Sequence, residues 1–212
     1  METKKVALAL VDISGYTQFI RSEKMSAVHA EEIIFDLLEA VIDHAAYPLT
    51  LNKLEGDAAF LYAEMNNENQ IEVARDVARQ AQAFFDIFYE RARLLSTERA
   101  DCDCNACQRI LDLRLKAFLH CGEAVFKKIR QFEEMAGEDV IIAHRLIKNS
   151  IPSNEYILMT ESFYKLAGGL PNMSMETRHE TYEDIGAITV KVFHPKKKNE
   201  IKPDQPIYNQ FF

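Results

Sequence analysis

Two aspartates sit where a buried strand should carry no charge. The apolar run at 6–11 ends on Asp12 and breaks at once into Gly15, Tyr16 and Thr17. Asp57 follows Glu55 and Gly56, between apolar pieces at 49–54 and 58–62. A Gly-Asp turn between short apolar runs signals a hairpin. A carboxylate at a strand end loses hydration unless something pairs with it. On neighbouring strands both acids would reach one point and repel each other unless a divalent cation lies between them. Mg²⁺ suits such a pair, because it accepts one or two carboxylates and takes its other ligands from water and phosphate. Asp is also common in turns, so two unrelated turn aspartates would give the same pattern.

A second set of reactive residues is Cys102, Cys104 and Cys107, in the stretch "CDCNACQ". Three thiolates this close suit tetrahedral Zn²⁺ with a fourth ligand from elsewhere. Cys121, His120 or a residue of a partner chain could supply it. An iron–sulfur site or a redox-active thiol pair fits the same residues. His29, His44, His144, His179 and His194 read as ordinary packing or surface residues.

The elements that must position these groups follow from apolar spacing. Residues 5–11 form a short apolar strand. Val28, Ile33, Ile34, Leu37, Leu38, Val41 and Ile42 mark a helix over 26–46, ended by Pro48. After the hairpin, Val73, Val77, Ala81, Phe84, Phe85 and Phe88 mark a long helix over 69–95, and the cysteine loop spans 96–109. A strand over 110–120 is expected to turn at Cys121-Gly122 into a partner over 123–129. A helix over 138–149, a strand over 156–159 and a short helix over 161–167 come next. Strands over 178–182 and 187–193 close the order. Hairpins between helices argue for an α+β fold, an antiparallel-rich sheet with helices packed on one face.

The 212 residues suffice for one core, placed at 1–195 with a tail over 196–212. A net charge of −8 disfavours general binding to nucleic acid or anionic membrane. Lys196, Lys197 and Lys198 read as a solvated tail. No run approaches the roughly 20 apolar residues of a membrane span, and no secretory signal is evident. A cytoplasmic location is expected, since clustered cysteines do not suggest a disulfide framework.

Five stretches together resemble the class III nucleotidyl cyclases. "DISGYTQFI" is similar to their first metal motif and "KLEGDAAFLY" to their Lys-x-x-Gly-Asp hairpin. "KAFLHCGEAVF" is similar to an Arg-x-Gly-x-His-x-Gly segment, keeping His120 and Gly122 but with Phe118 at the first glycine. "GEDVIIAHRLIKNS" resembles the helix that starts Gly-x-x-Val-Asn-x-Ala-x-Arg-Leu, and "YEDIGAITVKVF" the closing strand. More narrowly, "CDCNACQ" with "DVIIAHRLIKNSIPSNEYILMT" resembles a bacterial branch of cyclase-like proteins defined as a domain of unknown function.

That resemblance implies a ferredoxin-like nucleotide cyclase fold and two Mg²⁺ or Mn²⁺ ions per site. Asp12 and Asp57 would be the carboxylate ligands, with the Ile13 carbonyl as a further ligand. It places Lys53 on the adenine ring, Glu134 near the adenine amino group and Arg145 on the transferring phosphoryl. The implied reaction converts a nucleoside triphosphate, ATP for preference, to a 3′,5′-cyclic nucleotide and pyrophosphate. The implied state is a homodimer whose sites draw on both chains. One departure stands out: the family's ribose-positioning asparagine is Ile141 here. It favours an alternative in which the fold binds nucleotide or metal as a regulatory module without turnover.

Overall fold

In strand β1 (Glu2–Ser14) successive side chains point to opposite faces of a sheet, and both faces are buried. The computed structural model describes residues 1–16, 19 and 26–195. The expected tail over 196–212, with its three lysines, lies outside the described residues.

Helix α1 (Ala27–Asp43) follows, with Ser26 as N-cap, its side chain accepting from the His29 N–H. The hairpin of β2 (Thr50–Glu55) and β3 (Ala58–Met65) closes through Gly56, whose φ of 66° suits a residue without a Cβ. Helix α2 (Gln70–Glu98) and the short α3 (Asn105–Gln108) lead through a 3-10 turn into β4 (Arg114–Ile129). Then come β5 (Phe132–Ala136), α4 (Glu138–Arg145), β6 (Tyr156–Thr160), α5 (Glu161–Ala167), β7 (Met173–Tyr182) and β8 (Gly186–Pro195). The sheet has eight strands in the order β2-β3-β1-β4-β6-β8-β7, with β5 added to β4. Every pairing is antiparallel except β4 with β6. The α+β, antiparallel-rich sheet read from the sequence is therefore the observed one.

Odd-numbered β1 residues Ala7, Ala9, Val11 and Ile13 face the larger core with α1, α2 and α5. Alanines on this face (Ala7, Ala9, Ala59, Ala63 and Ala117) leave room for Phe84, Phe85 and Phe88 of α2. Arg91 of α2 grips Asp36 of α1 through two nitrogens, which fixes the two helices to each other. The opposite face carries Val6, Leu8, Leu10, Phe60 and Phe118 in a second core, and α4 covers it through Val140 and Ala143. The expectation of helices on one face holds for α1, α2 and α5, while α4 lies on the other.

The expected turn at Cys121-Gly122 is not there. β4 runs unbroken through Gly122, which pairs with Val6, and the chain reverses instead at Arg130 (φ 58°). Gly122 serves a close approach: a Cβ built on it would lie 2.0 Å from Asp139 Cγ. Asp139 cannot easily move, since its carboxylate accepts from the Glu123 N–H at 2.7 Å and lies 2.9 Å from His120 Nε2. His120 Nδ1 in turn meets Thr160 Oγ1 at 2.9 Å. The His120–Asp139 pair thereby pins the start of α4 to the sheet. Gly122→Ala should therefore destabilise the fold by about 1–3 kcal/mol in denaturant unfolding. An unchanged midpoint would show that Asp139 yields freely.

Candidate functional site

Asp12 lies near the end of β1 in the even-numbered row, so it projects onto the α4 face, beyond Leu10. Its register partners are Ala58 on β3 and Lys116 on β4. Asp57 immediately precedes Ala58, and its carbonyl accepts the Ile13 N–H at 3.0 Å. The hairpin tip is thus stitched to the end of β1, and the two aspartates meet. Burial first, and the neighbouring Asp57 charge second, push Asp12 up to about 6. The Lys116 ammonium opposes that rise without cancelling it. Burial also raises Asp57, and the Glu31 carboxylate adds to the rise.

Glu31 reaches this point from the second turn of α1, where it accepts a 2.6 Å hydrogen bond from the Tyr16 hydroxyl. That bond, more than burial, pushes Tyr16 up to about 12. Three acids and one lysine therefore surround the end of β1. Asp12 and Asp57 are half-buried and Glu31 is exposed, so negative charge outweighs positive at this point. The Ile13 side chain is 1% exposed, so only its backbone could take part.

Lys53 and Glu134 come together elsewhere, lining one cleft with Asn52, Tyr62 and Glu133. Hydrogen bonds from Asn52 to the Glu133 carbonyl (3.1 Å) and from the Tyr62 hydroxyl to the Glu133 carboxylate (3.3 Å) hold that cleft's walls. Lys53 itself pairs with Glu55 at 2.9 Å, and the other Glu55 oxygen lies 3.3 Å from His144 Nδ1. Arg145, next on α4, lines a different cleft with Lys148 and Tyr182, and Asp184 holds it by contacts of 2.8 and 2.6 Å. Ile141, one turn before Arg145, is 51% exposed. Within one chain, then, the Lys53–Glu134 cleft and the Arg145 cleft share no lining residue.

Cys102, Cys104 and Cys107 do converge, and their common neighbour is His29. This corrects the reading of His29 as ordinary, and also the choice of His120 or Cys121 as a fourth ligand. His120 is engaged by Asp139 and Thr160, and Cys121 bonds Ser162. Lys116, Glu31 and Asp184 were not singled out from the sequence either. Lys116 alone left a signal there, as a lysine between the apolar Leu115 and Ala117 that faces Asp12 once the two strands pair.

The family described as "Protein of unknown function (DUF2652)" matches residues 34–156. The "Uncharacterized protein Rv2561/Rv2562" of Mycobacterium tuberculosis is 38% identical over 125 residues, covering 59% of this chain and 56% of that protein. The chain thus spans little more than half the length of that relative. Among solved structures, the adenylyl cyclase CyaB from P. aeruginosa superposes with a TM-score of 0.68 at 15% identity, over 93% of this chain and 97% of that one. The guanylyl cyclase Cya2 gives 0.69 at 12% identity, over 94% and 96%. The guanylate cyclase domain of RhGC from Catenaria anguillulae, solved in complex with GTP, gives 0.62 at 15%, over 93% and 100%. At these identities the likeness establishes the nucleotidyl cyclase fold. Among the described residues no helix is long and apolar enough to cross a membrane.

The raised Asp12 has a measurable consequence for the metal-free protein. The folded chain keeps the Asp12 proton up to about 6, whereas the unfolded chain releases it in the ordinary carboxylate range. Folding therefore binds a proton inside that window, and stability falls as pH rises through it. With chelator present, Asp12→Asn should be more stable than the parent at pH 7.5, by about 2 kcal/mol, and equal to it near pH 4. Equal stabilities at both pH values would place Asp12 in a relaxed environment.

Proposed function

We propose that this chain, which belongs to the DUF2652 family and has the nucleotidyl cyclase fold, is a homodimeric, two-metal nucleotidyl cyclase acting on a nucleoside triphosphate, ATP for preference. The observation that carries the reading is the meeting of Asp12 and Asp57, a carboxylate pair whose mutual repulsion a divalent cation would relieve. Asp12, Asp57 and the Ile13 carbonyl would hold Mg²⁺ or Mn²⁺. Two such ions, when bound, supply activation of the ribose 3′-hydroxyl and counter-charge for the triphosphate. The 3′-oxygen gives its proton to water and bonds to the α-phosphorus as the bond to the leaving pyrophosphate breaks.

The remaining roles belong to the protein. Lys53 donates to the adenine ring and Glu134 accepts from its amino group; that the two share a cleft supports assigning them to one base. Arg145 stabilises charge on the phosphoryl group. It must first exchange Asp184 for phosphate, a trade of one anionic partner for another. Each site is completed by a second protomer; that the Lys53 and Arg145 clefts of one chain share no lining residue supports this. Exposed Leu54, beside Lys53, and exposed Ile141, on the helix of Arg145, give that contact an apolar component.

Ile141 supports a second reading. Isoleucine cannot position the ribose by a hydrogen bond, and a lost positioning contact can lower a rate on the order of a hundredfold. In this reading the same site holds nucleotide and metal as a regulatory module.

Incubation with each of the four ribonucleoside triphosphates and Mn²⁺ tests both. The cyclase reading expects cyclic product that Asp57→Ala abolishes; the module expects only Asp57-dependent nucleotide binding. Absence of both activity and binding would overturn the proposal. The shared site has its own signature. Asp57→Ala and Arg145→Ala are each expected to be inactive, and a re-equilibrated equal mixture to recover about a quarter of parent activity, because half of random dimers hold one intact site. No recovery, with exchange confirmed, would place the whole site within one chain.

A further inference from the structure

The cysteine cluster lies apart from the carboxylate centre, and the proposed reaction does not use it. His29 sits on the first turn of α1, Cys102 just beyond the end of α2, and Cys104 and Cys107 on and within the short α3. One ring nitrogen, His29 Nδ1, lies 3.5 Å from Cys102 Sγ, 3.4 Å from Cys104 Sγ and 3.6 Å from Cys107 Sγ. A single Nδ1 carries at most one hydrogen, so hydrogen bonding accounts for one of these contacts and not for three. Coordination accounts for all of them. With Zn–S near 2.3 Å and Zn–N near 2.05 Å, a tetrahedron places nitrogen about 3.6 Å from each sulfur. The four donor atoms all lie within 4.8 Å of one another, as ligands of one ion must.

The surroundings suit thiolates. The Cys107 backbone N–H points to Cys104 Sγ at 3.5 Å, where Cys104 caps α3. The Arg99 guanidinium donates to the Cys107 sulfur and also to Glu32, at 3.1 Å. Three thiolates and one neutral imidazole around Zn²⁺ leave one net negative charge, and Arg99 is placed to balance it. Outer donors of this kind orient and tune metal ligands. No disulfide joins the three cysteines. An iron–sulfur cluster would spread its ligands over several iron atoms, whereas these four donors meet at one point.

We propose that His29, Cys102, Cys104 and Cys107 form a closed Cys₃His site for one Zn²⁺, which fastens the first turn of α1 to the far end of α2. Four protein ligands leave no open position, so this zinc is structural and not catalytic. It fixes the α1 turn that carries Glu31, two residues beyond His29. The site stands whether or not the chain is a cyclase, since its readout is the metal itself.

The test uses the full chain, purified in reductant without chelator. Elemental analysis should find about one zinc per chain, and exchange with Co²⁺ should give the intense visible and thiolate charge-transfer absorption of a tetrahedral sulfur-rich site. Thiol titration of the native protein should leave the three cluster cysteines protected until the zinc is extracted. His29→Ala and Cys104→Ser should each lower zinc retention roughly tenfold or more, while Cys121→Ser retains it. If a ligand variant fails to fold, the Co²⁺ spectrum and thiol protection of the parent decide. A parent that takes up no zinc on reconstitution overturns the site. So do an octahedral Co²⁺ spectrum, an iron–sulfur chromophore, or full zinc retention in folded His29→Ala and Cys104→Ser.

Discussion

The register between β1 and β3 decides what this protein can do with its acids. Asp12 pairs with Ala58, and the hydrogen bond from the Ile13 N–H to the Asp57 carbonyl draws the hairpin tip against the end of β1. A slip of one residue would turn Asp12 towards the helices of the larger core and take it from Asp57. Lys116 offsets only part of the cost to the carboxylates, which burial penalises at both and the Asp57 charge adds to at Asp12. The tight β2–β3 turn and the packing of both apolar faces of β1, β3 and β4 hold it in place. Stability built on both faces of the sheet is thereby spent in part on holding two like charges together. Perturbed carboxylates of this kind cluster at binding and catalytic centres.

The two faces divide the labour. On one, α1, α2 and α5 cover the sheet with a continuous apolar layer tied by Arg91–Asp36. On the other, short α4 is the covering helix, held by Val140 and Ala143 in the core and by polar contacts: His120 with Asp139 at its start, Glu55 with His144 and Asp184 with Arg145 at its end. A helix held this way keeps an exposed surface, and the groups proposed to handle nucleotide lie on it or on the neighbouring hairpin. The Cys₃His cluster belongs to the helical side and stiffens it where the chain leaves the carboxylate centre for α1.

Much of this was legible in the sequence wherever one residue type has one dominant meaning. The spacing of Val73, Val77, Ala81, Phe84 and Phe88 can only be a helix, and Glu55-Gly56-Asp57 between apolar runs can hardly be anything but a hairpin tip. Reading failed where a residue has two meanings. Gly122 reads as a turn because glycine marks turns, yet its missing Cβ makes room for Asp139. β5 escaped notice because its acids, Glu133 and Glu134, mask a short edge strand. Ligands from distant segments were the hardest. The cysteines were visible as a cluster, whereas His29 lies 73 residues before the first of them and looks like any helix histidine. Glu31 is likewise a surface acid on paper, and only the path of the chain brings it to Tyr16.

The claim on which the functional reading stands is electrostatic, and NMR can address it at the atom concerned. A carbon-detected titration of the Asp12 carboxyl, in chelator and then in saturating Mg²⁺, reports both the repulsion and its relief. The expected result is a midpoint near 6 without metal that falls by more than about one unit when Mg²⁺ is added. A midpoint in the ordinary carboxylate range, or one near 6 that Mg²⁺ leaves unmoved, would contradict a cation site between Asp12 and Asp57.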